Sequence, residues 1–93
     1  MIKSFKDKET EKIFNGEVSK KLPIDVQKRA YHKLAMLHAS KNIEDLQIPP
    51  SNRLEKLKGN MAGQYSIRIN GQWRICFKWL NGDALEVEIV DYH

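Results

Sequence analysis

The sequence predicts an α+β fold, and three observations predict it. Two stretches in the first half read as helices, a short one stopped at Gly16 and a longer one with an apolar stripe at helical spacing. Three runs in the second half alternate in polarity and are separated by Asn-Gly turns. At 93 residues the chain can build one modest core but not a second domain with its own site, so residues 1–93 are expected to form a single domain.

Taken in order, Ile2 to Phe5 is a candidate first strand, after which Asp7 can cap a helix of about two turns. Its apolar positions Ile13 and Phe14 precede a stop at Gly16. A longer helix is predicted to open at Pro23 or Asp25 and to run to roughly Ser40. Val26, Ala30, Leu34 and Leu37 make one apolar stripe along it, while Lys28, Arg29, His32 and Lys33 mostly face elsewhere. The stretch Ile48-Pro49-Pro50-Ser51-Asn52 cannot continue a helix and reads as a loop, feeding the basic segment Arg53 to Gly59.

The three alternating runs are Tyr65 to Ile69, Trp73 to Leu80 and Ala84 to His93, predicted as an antiparallel meander. Odd positions carry Tyr65, Ile67, Ile69, Trp73, Ile75, Phe77, Trp79, Leu85, Val87 and Ile89, so this face packs and the even face is polar. Residues of equal parity must therefore sit opposite each other, which calls for three-residue loops at Asn70-Gly71-Gln72 and Asn81-Gly82-Asp83. Counting from there pairs Leu80 with Ala84, Trp79 with Leu85, Phe77 with Val87 and Ile75 with Ile89, with Lys78 opposite Glu86. It also sets Arg68 opposite Arg74, with Tyr92 diagonal to Arg74. Two arginines facing each other destabilise the sheet unless an anion is near, and guanidinium forks suit phosphate oxygens. The motivated expectation is a phosphodiester site on this face, and the ordinary alternative is two arginines splayed into water or paired with Glu86 and Glu88.

Sixteen Lys+Arg against twelve Asp+Glu give a formal net charge of +4, which favours polyanionic partners such as RNA or acidic protein surfaces. The single cysteine, Cys76, excludes an intramolecular disulfide and a cysteine-based zinc site and suits a reducing, cytosolic setting. Charge-dense residues Met1 to Lys12 lack the apolar run of a signal peptide, and no stretch approaches transmembrane length, so a soluble protein without a membrane partner is expected. His32 and His38 lie at a spacing that points them apart, and each is assigned a surface role. Trp73, Phe77 and Trp79 fall on the apolar face and are expected in the core rather than as a base-stacking platform; Cys76 is read as an inert thiol.

The ordered set Leu57-Lys58-Gly59, Gly63-Gln64-Tyr65-Ser66-Ile67-Arg68, Trp73-Arg74-Ile75 and Asp91-Tyr92-His93 resembles the HigB toxins of the RelE superfamily, over essentially Ile2 to the C-terminus. The resemblance implies a RelE-like fold with two N-terminal helices packed on a small, mostly antiparallel, twisted sheet. It implies a bacterial, cytoplasmic, ribosome-dependent mRNA endonuclease working in the decoding site of the small subunit. A helix-turn-helix antitoxin of the HigA kind would neutralise it, and operator DNA would be bound only through that antitoxin. No metal or organic cofactor is implied.

Metal-free RNA cleavage needs a base for the ribose 2′-OH, a stabiliser for charge developing at phosphorus and an acid for the leaving 5′ oxygen. Each has candidates. His93 is the candidate acid or base, with a mobile terminal histidine as its alternative. Tyr92 can orient the nucleotide, stack on a base or donate a proton, or else cap the core; Asp91 can orient a catalytic partner or pair with Arg74. Strict alternation separates Tyr92 from Asp91 and His93, so the triplet converges only if the strand bends, bulges or ends before it. Lys58, Arg53, Arg68 and Arg74 are the candidate phosphate contacts, Arg74 also being counted in the catalytic set. Where some HigB toxins have a histidine shortly before the Leu-Lys-Gly run, this chain has Glu55 and Lys56, so either Glu55 replaces it or His93 is the principal proton carrier. Two other function classes fit the same sequence: a non-catalytic RNA- or ribosome-binding module that blocks translation, and a corepressor acting on DNA with its antitoxin.

Overall fold

The computed structural model describes residues 1–61 and 63–91. Two helices, α1 (Lys8–Phe14) and α2 (Ile24–Ala39), precede strands β1 (Glu55–Lys56), β2 (Gln64–Arg68), β3 (Trp73–Leu80) and β4 (Asp83–Asp91), an α+β arrangement. The strands form an antiparallel sheet in the order β1-β2-β3-β4. A short 3₁₀ turn at Ile43–Gln47 follows α2, and another at Pro50–Asn52 lies within the stretch that reads as loop in the sequence. Asp7 sits at the N-cap of α1 without a side-chain capping bond, and Gly16 ends that turn at φ +82°.

The predicted stripe of α2 is the buried one: Val26, Ala30, Leu34 and Leu37 join Ile13, Leu46, Ile67, Ile75, Phe77 and Val87 in the core cluster. Phe77 is fully buried, and Trp73 and Trp79 pack against the same cluster. His38 departs from its surface assignment. Its Nδ1 accepts the Ile2 amide N–H at 3.1 Å and its ring lies 5.2 Å from that of Phe14, so it ties the N-terminal segment to α2.

The two hairpins differ in how they meet the parity requirement. Between β2 and β3 the expected three-residue loop is present, with Ile69 N–H donating to the Trp73 carbonyl at 2.9 Å and Arg68 facing Arg74. Between β3 and β4 the expectation is corrected: Leu80 pairs with Asp83 and Trp79 with Ala84, leaving only Asn81-Gly82 in the turn. Both residues have positive φ, 51° and 84°, the conformation of a type I′ turn, whose twist matches that of the strands. A Cβ on Gly82 would also meet the Lys41 carbonyl oxygen at 3.1 Å. The two-residue turn alone would swap the faces of β4. A β-bulge prevents this: the register shifts between Cys76 and Lys78, Glu86 takes φ 51°, and Ile75 recovers its expected partner Ile89. Lys78 therefore has Leu85 as its backbone partner, yet its side chain still forms the expected ion pair with Glu86 at 2.7 Å.

Residues 2–5 do not make a continuous strand. Ile2 and Phe5 form separate parallel bridges to Ala84 and Val87, interrupted where β4 bulges. The bulge leaves the Glu86 amide without a ladder partner, and Ser4 Oγ accepts it at 2.9 Å. Among the described residues, no helix is long and apolar enough to cross a membrane.

Candidate functional site

The even-numbered face of the sheet is polar, as expected, but its centre is buried rather than solvated. Ser66, Arg74 and Cys76 are 0%, 6% and 1% exposed. Arg74 reaches from β3 across β2 towards β1. Its Nε donates to Ser66 Oγ at 2.9 Å, and its Nη2 donates to the Arg53 carbonyl at 2.6 Å and to the Ser66 carbonyl at 3.3 Å. The Glu55 carboxylate stands 3.9 Å from Nη2 with about half its side chain in water, a peripheral and weak pairing. A buried guanidinium is tolerable because its hydrogens find acceptors in the fork geometry that arginine presents. Burial pushes the neighbouring Cys76 thiol up to about 11, which keeps it protonated and supports its reading as inert.

Arg53 supplies that acceptor from a left-handed conformation, φ 44° and ψ 56°, at the end of the Pro50–Asn52 turn. Such a conformation costs a non-glycine residue about 1–2 kcal/mol, and here it aims the carbonyl at Arg74 while the Arg53 side chain stays exposed. Just past β1, Leu57 N–H donates to the Gln64 carbonyl at 2.8 Å, and exposed Lys58 leads into Gly59 at φ +70°. The basic loop is thus held at both ends of β1, by Arg74 on one side and by β2 on the other.

Arg68 behaves differently from its partner. It lines a groove of about 450 Å³ together with Arg29, His32 and Lys33 of α2, Ser51, and Ile69, Asn70 and Gly71 of the β2–β3 hairpin. Its Nη2 would lie 3.6 Å from a Cβ on Gly71, so the guanidinium lies against the hairpin loop, while Arg74 turns to β1. This divergence is how two arginines occupy facing positions. The sequence places Arg29, His32 and Lys33 off the apolar stripe without a site role; their i, i+3, i+4 spacing marks a basic stripe, but the loop that faces them lies about 40 residues on.

Asp91 ends β4 opposite Trp73 and accepts a hydrogen bond from Gln72 Nε2 at 3.1 Å. Tyr92 and His93, and with them the expected convergence of the triplet, lie outside the described residues. Arg68, Arg74, Arg53 and Glu55 are gathered around β1 to β3, with Lys58 on the adjoining loop. Among the described residues, no group of three His, Cys, Asp or Glu side chains could hold a metal ion.

Residues 3–93 match the family model of the RelE-like toxin of type II toxin-antitoxin systems, HigB. The chain belongs to this family. It is similar to the toxin HigB-1 of Vibrio cholerae, 41% identical over 86 residues that cover 91% of this chain and 90% of that protein. It is also similar to the endoribonuclease HigB of Proteus vulgaris, 34% identical over 93 residues, the full length of both chains. The HigB resemblance read from the spaced motifs thus holds over nearly the whole chain.

Proposed function

We propose that this HigB-family toxin is an endoribonuclease that cuts mRNA on the ribosome, by metal-free attack of a ribose 2′-OH on the adjacent phosphorus. The observation that carries the reading is the set of cations gathered around β1 to β3, with Arg53 and Lys58 exposed, Arg68 half-buried and Arg74 fixing the Arg53 loop from below. The class of reaction comes from relatedness to a protein named as an endoribonuclease along its whole length.

In this mechanism Arg68, Lys58 and Arg53 hold backbone phosphates from exposed or half-buried positions. Arg74 lends a fixed positive charge from beneath the face and holds the β1 segment that carries Arg53 and Glu55. Proton transfer falls to Glu55 and to the terminal triplet: His93 as acid or base, Tyr92 orienting the nucleotide, Asp91 orienting its partners. Cleavage leaves a 2′,3′-cyclic phosphate and a 5′-OH, because the 2′ oxygen forms the new P–O bond as the 5′ oxygen leaves with a proton. The cellular setting is the bacterial cytoplasm, where ribosomes offer the mRNA and a helix-turn-helix antitoxin blocks the toxin and carries it to operator DNA.

Mapping RNA 5′ ends in a purified translation reaction tests this directly. New ends should appear with the unmodified protein and ribosomes together, persist in EDTA-treated toxin, and fall by about 10²-fold or more with Tyr92→Ala or His93→Ala. Arrested translation without new ends would replace the nuclease with a toxin that only occupies the ribosome.

A further inference from the structure

The groove between α2 and the β2–β3 hairpin is not used by the chemistry above except through Arg68. Three basic side chains, Arg29, Lys33 and Arg68, line it with His32, and among the described residues no acidic one does. Among the described residues no carboxylate forms an ion pair with Arg29, Lys33 or Arg68. One wall is firmly built. Lys33 Nζ donates to Asn52 Oδ1, and fully buried Asn52 donates in turn to the Leu46 and Ile48 carbonyls at 3.1 and 3.3 Å. Burial lowers the Lys33 pKa from the usual lysine range, so a bound anion would favour its charged form.

Converging cations that lack counter-ions are strained by mutual repulsion and attract an anion that can answer several of them together. The volume, about 450 Å³, falls within the range of about 300–1,000 Å³ typical of small-ligand sites and suits one nucleotide unit better than a folded helix. Ile69 supplies an apolar surface, and Ser51 and Asn70 supply polar groups. Arg68 closes β2 and also lines this groove, so a strand whose phosphate is held by Arg68 is led into the groove.

We infer that the groove lined by Arg29, His32, Lys33, Ser51 and Arg68 is a binding subsite for a nucleotide of the substrate RNA flanking the scissile phosphate. This deepens the proposed nuclease reading and rests on it for the identity of the strand. The subsite contributes affinity and register, and Arg29 and His32 do not touch the reacting atoms.

The test uses the full-length toxin and a fluorescent, fully 2′-O-methylated RNA dodecamer, which lacks the attacking hydroxyl. Arg29→Gln/His32→Gln alters two exposed side chains, and Ser51→Glu places a negative charge on the other wall; thermal melts check that both variants fold. Binding should weaken about tenfold or more in each, and Arg29→Gln alone should flatten the slope of log K against log salt by about 1. In cleavage assays on normal RNA, KM should rise while kcat holds. Folded variants that bind the dodecamer as the unmodified toxin does, with cleavage intact, would overturn the subsite and leave the nuclease standing. Weakened RNA binding by the variants, with no cleavage by the unmodified toxin, would retain an RNA groove and overturn the nuclease. Variants that lose only antitoxin binding would reassign the groove to a protein partner and overturn the inference.

Discussion

Arg68 and Arg74 occupy facing positions on adjacent strands yet live in opposite regimes. Arg74 is buried and spends its fork on protein acceptors; Arg68 is half-buried, lies against a hairpin loop and lines a groove with no carboxylate among the described residues. The difference shows that a like-charge pair in a sheet can be divided into a structural cation and a functional one. The first organises the loop that carries other site residues, and the second is left available to a ligand.

The largest effect belongs to Arg74. Arg74→Gln removes a buried charge whose loss leaves the Arg53 carbonyl short of a donor, and should destabilise the fold by about 3 kcal/mol in urea titrations as well as abolishing cleavage. Lysine should not rescue it, because an ammonium cannot reproduce the fork. Arg68→Gln is the counterpart. Its stability should stay within about 0.5 kcal/mol of the unmodified protein while RNA cleavage falls about tenfold or more. Equal stability losses at the two positions would dissolve the distinction.

Arg53→Gly separates the backbone role of Arg53 from its side-chain role. It keeps the main-chain carbonyl that holds Arg74, relieves the left-handed strain, and should leave stability within about 1 kcal/mol while weakening RNA binding a few-fold. An unaltered RNA affinity would make Arg53 purely a backbone support. The smallest effect concerns Cys76, beside Arg74 on the buried face. Its thiol is raised from an ordinary 9 to about 11, so the folded state holds the proton more tightly. The associated stability is complete below about pH 9 and is lost as pH climbs through about 11. Iodoacetamide should leave native Cys76 unlabelled at pH 8 and label it after denaturation.

How much of this was legible in the sequence varies by residue. The stripe of α2, the β2–β3 register and the Arg68–Arg74 pairing follow from periodicity and parity, and each is present. Parity also demanded that Ile75 meet Ile89, which it does, but through a two-residue turn and a bulge instead of a longer loop. Nothing in the identity of Glu86 announces a left-handed backbone. The burial of Arg74 was hidden for a related reason: alternation reports which residues share a face, not what lies over that face. Its acceptors come from Arg53 and Ser66, and a strand as short as Glu55–Lys56 has no period to read. The α2 groove is a tertiary product in the same sense, since its two walls are joined only by folding.

The parallel bridges of residues 2–5 carry one more consequence. Nine residues of β4 would otherwise end the sheet as an open ladder, the kind of margin on which a second chain can polymerise. The N-terminal segment occupies part of that ladder, the bulge at Glu86 kinks it, and at the opposite margin β1 offers only two residues. Both borders of the sheet are therefore poor templates for aggregation.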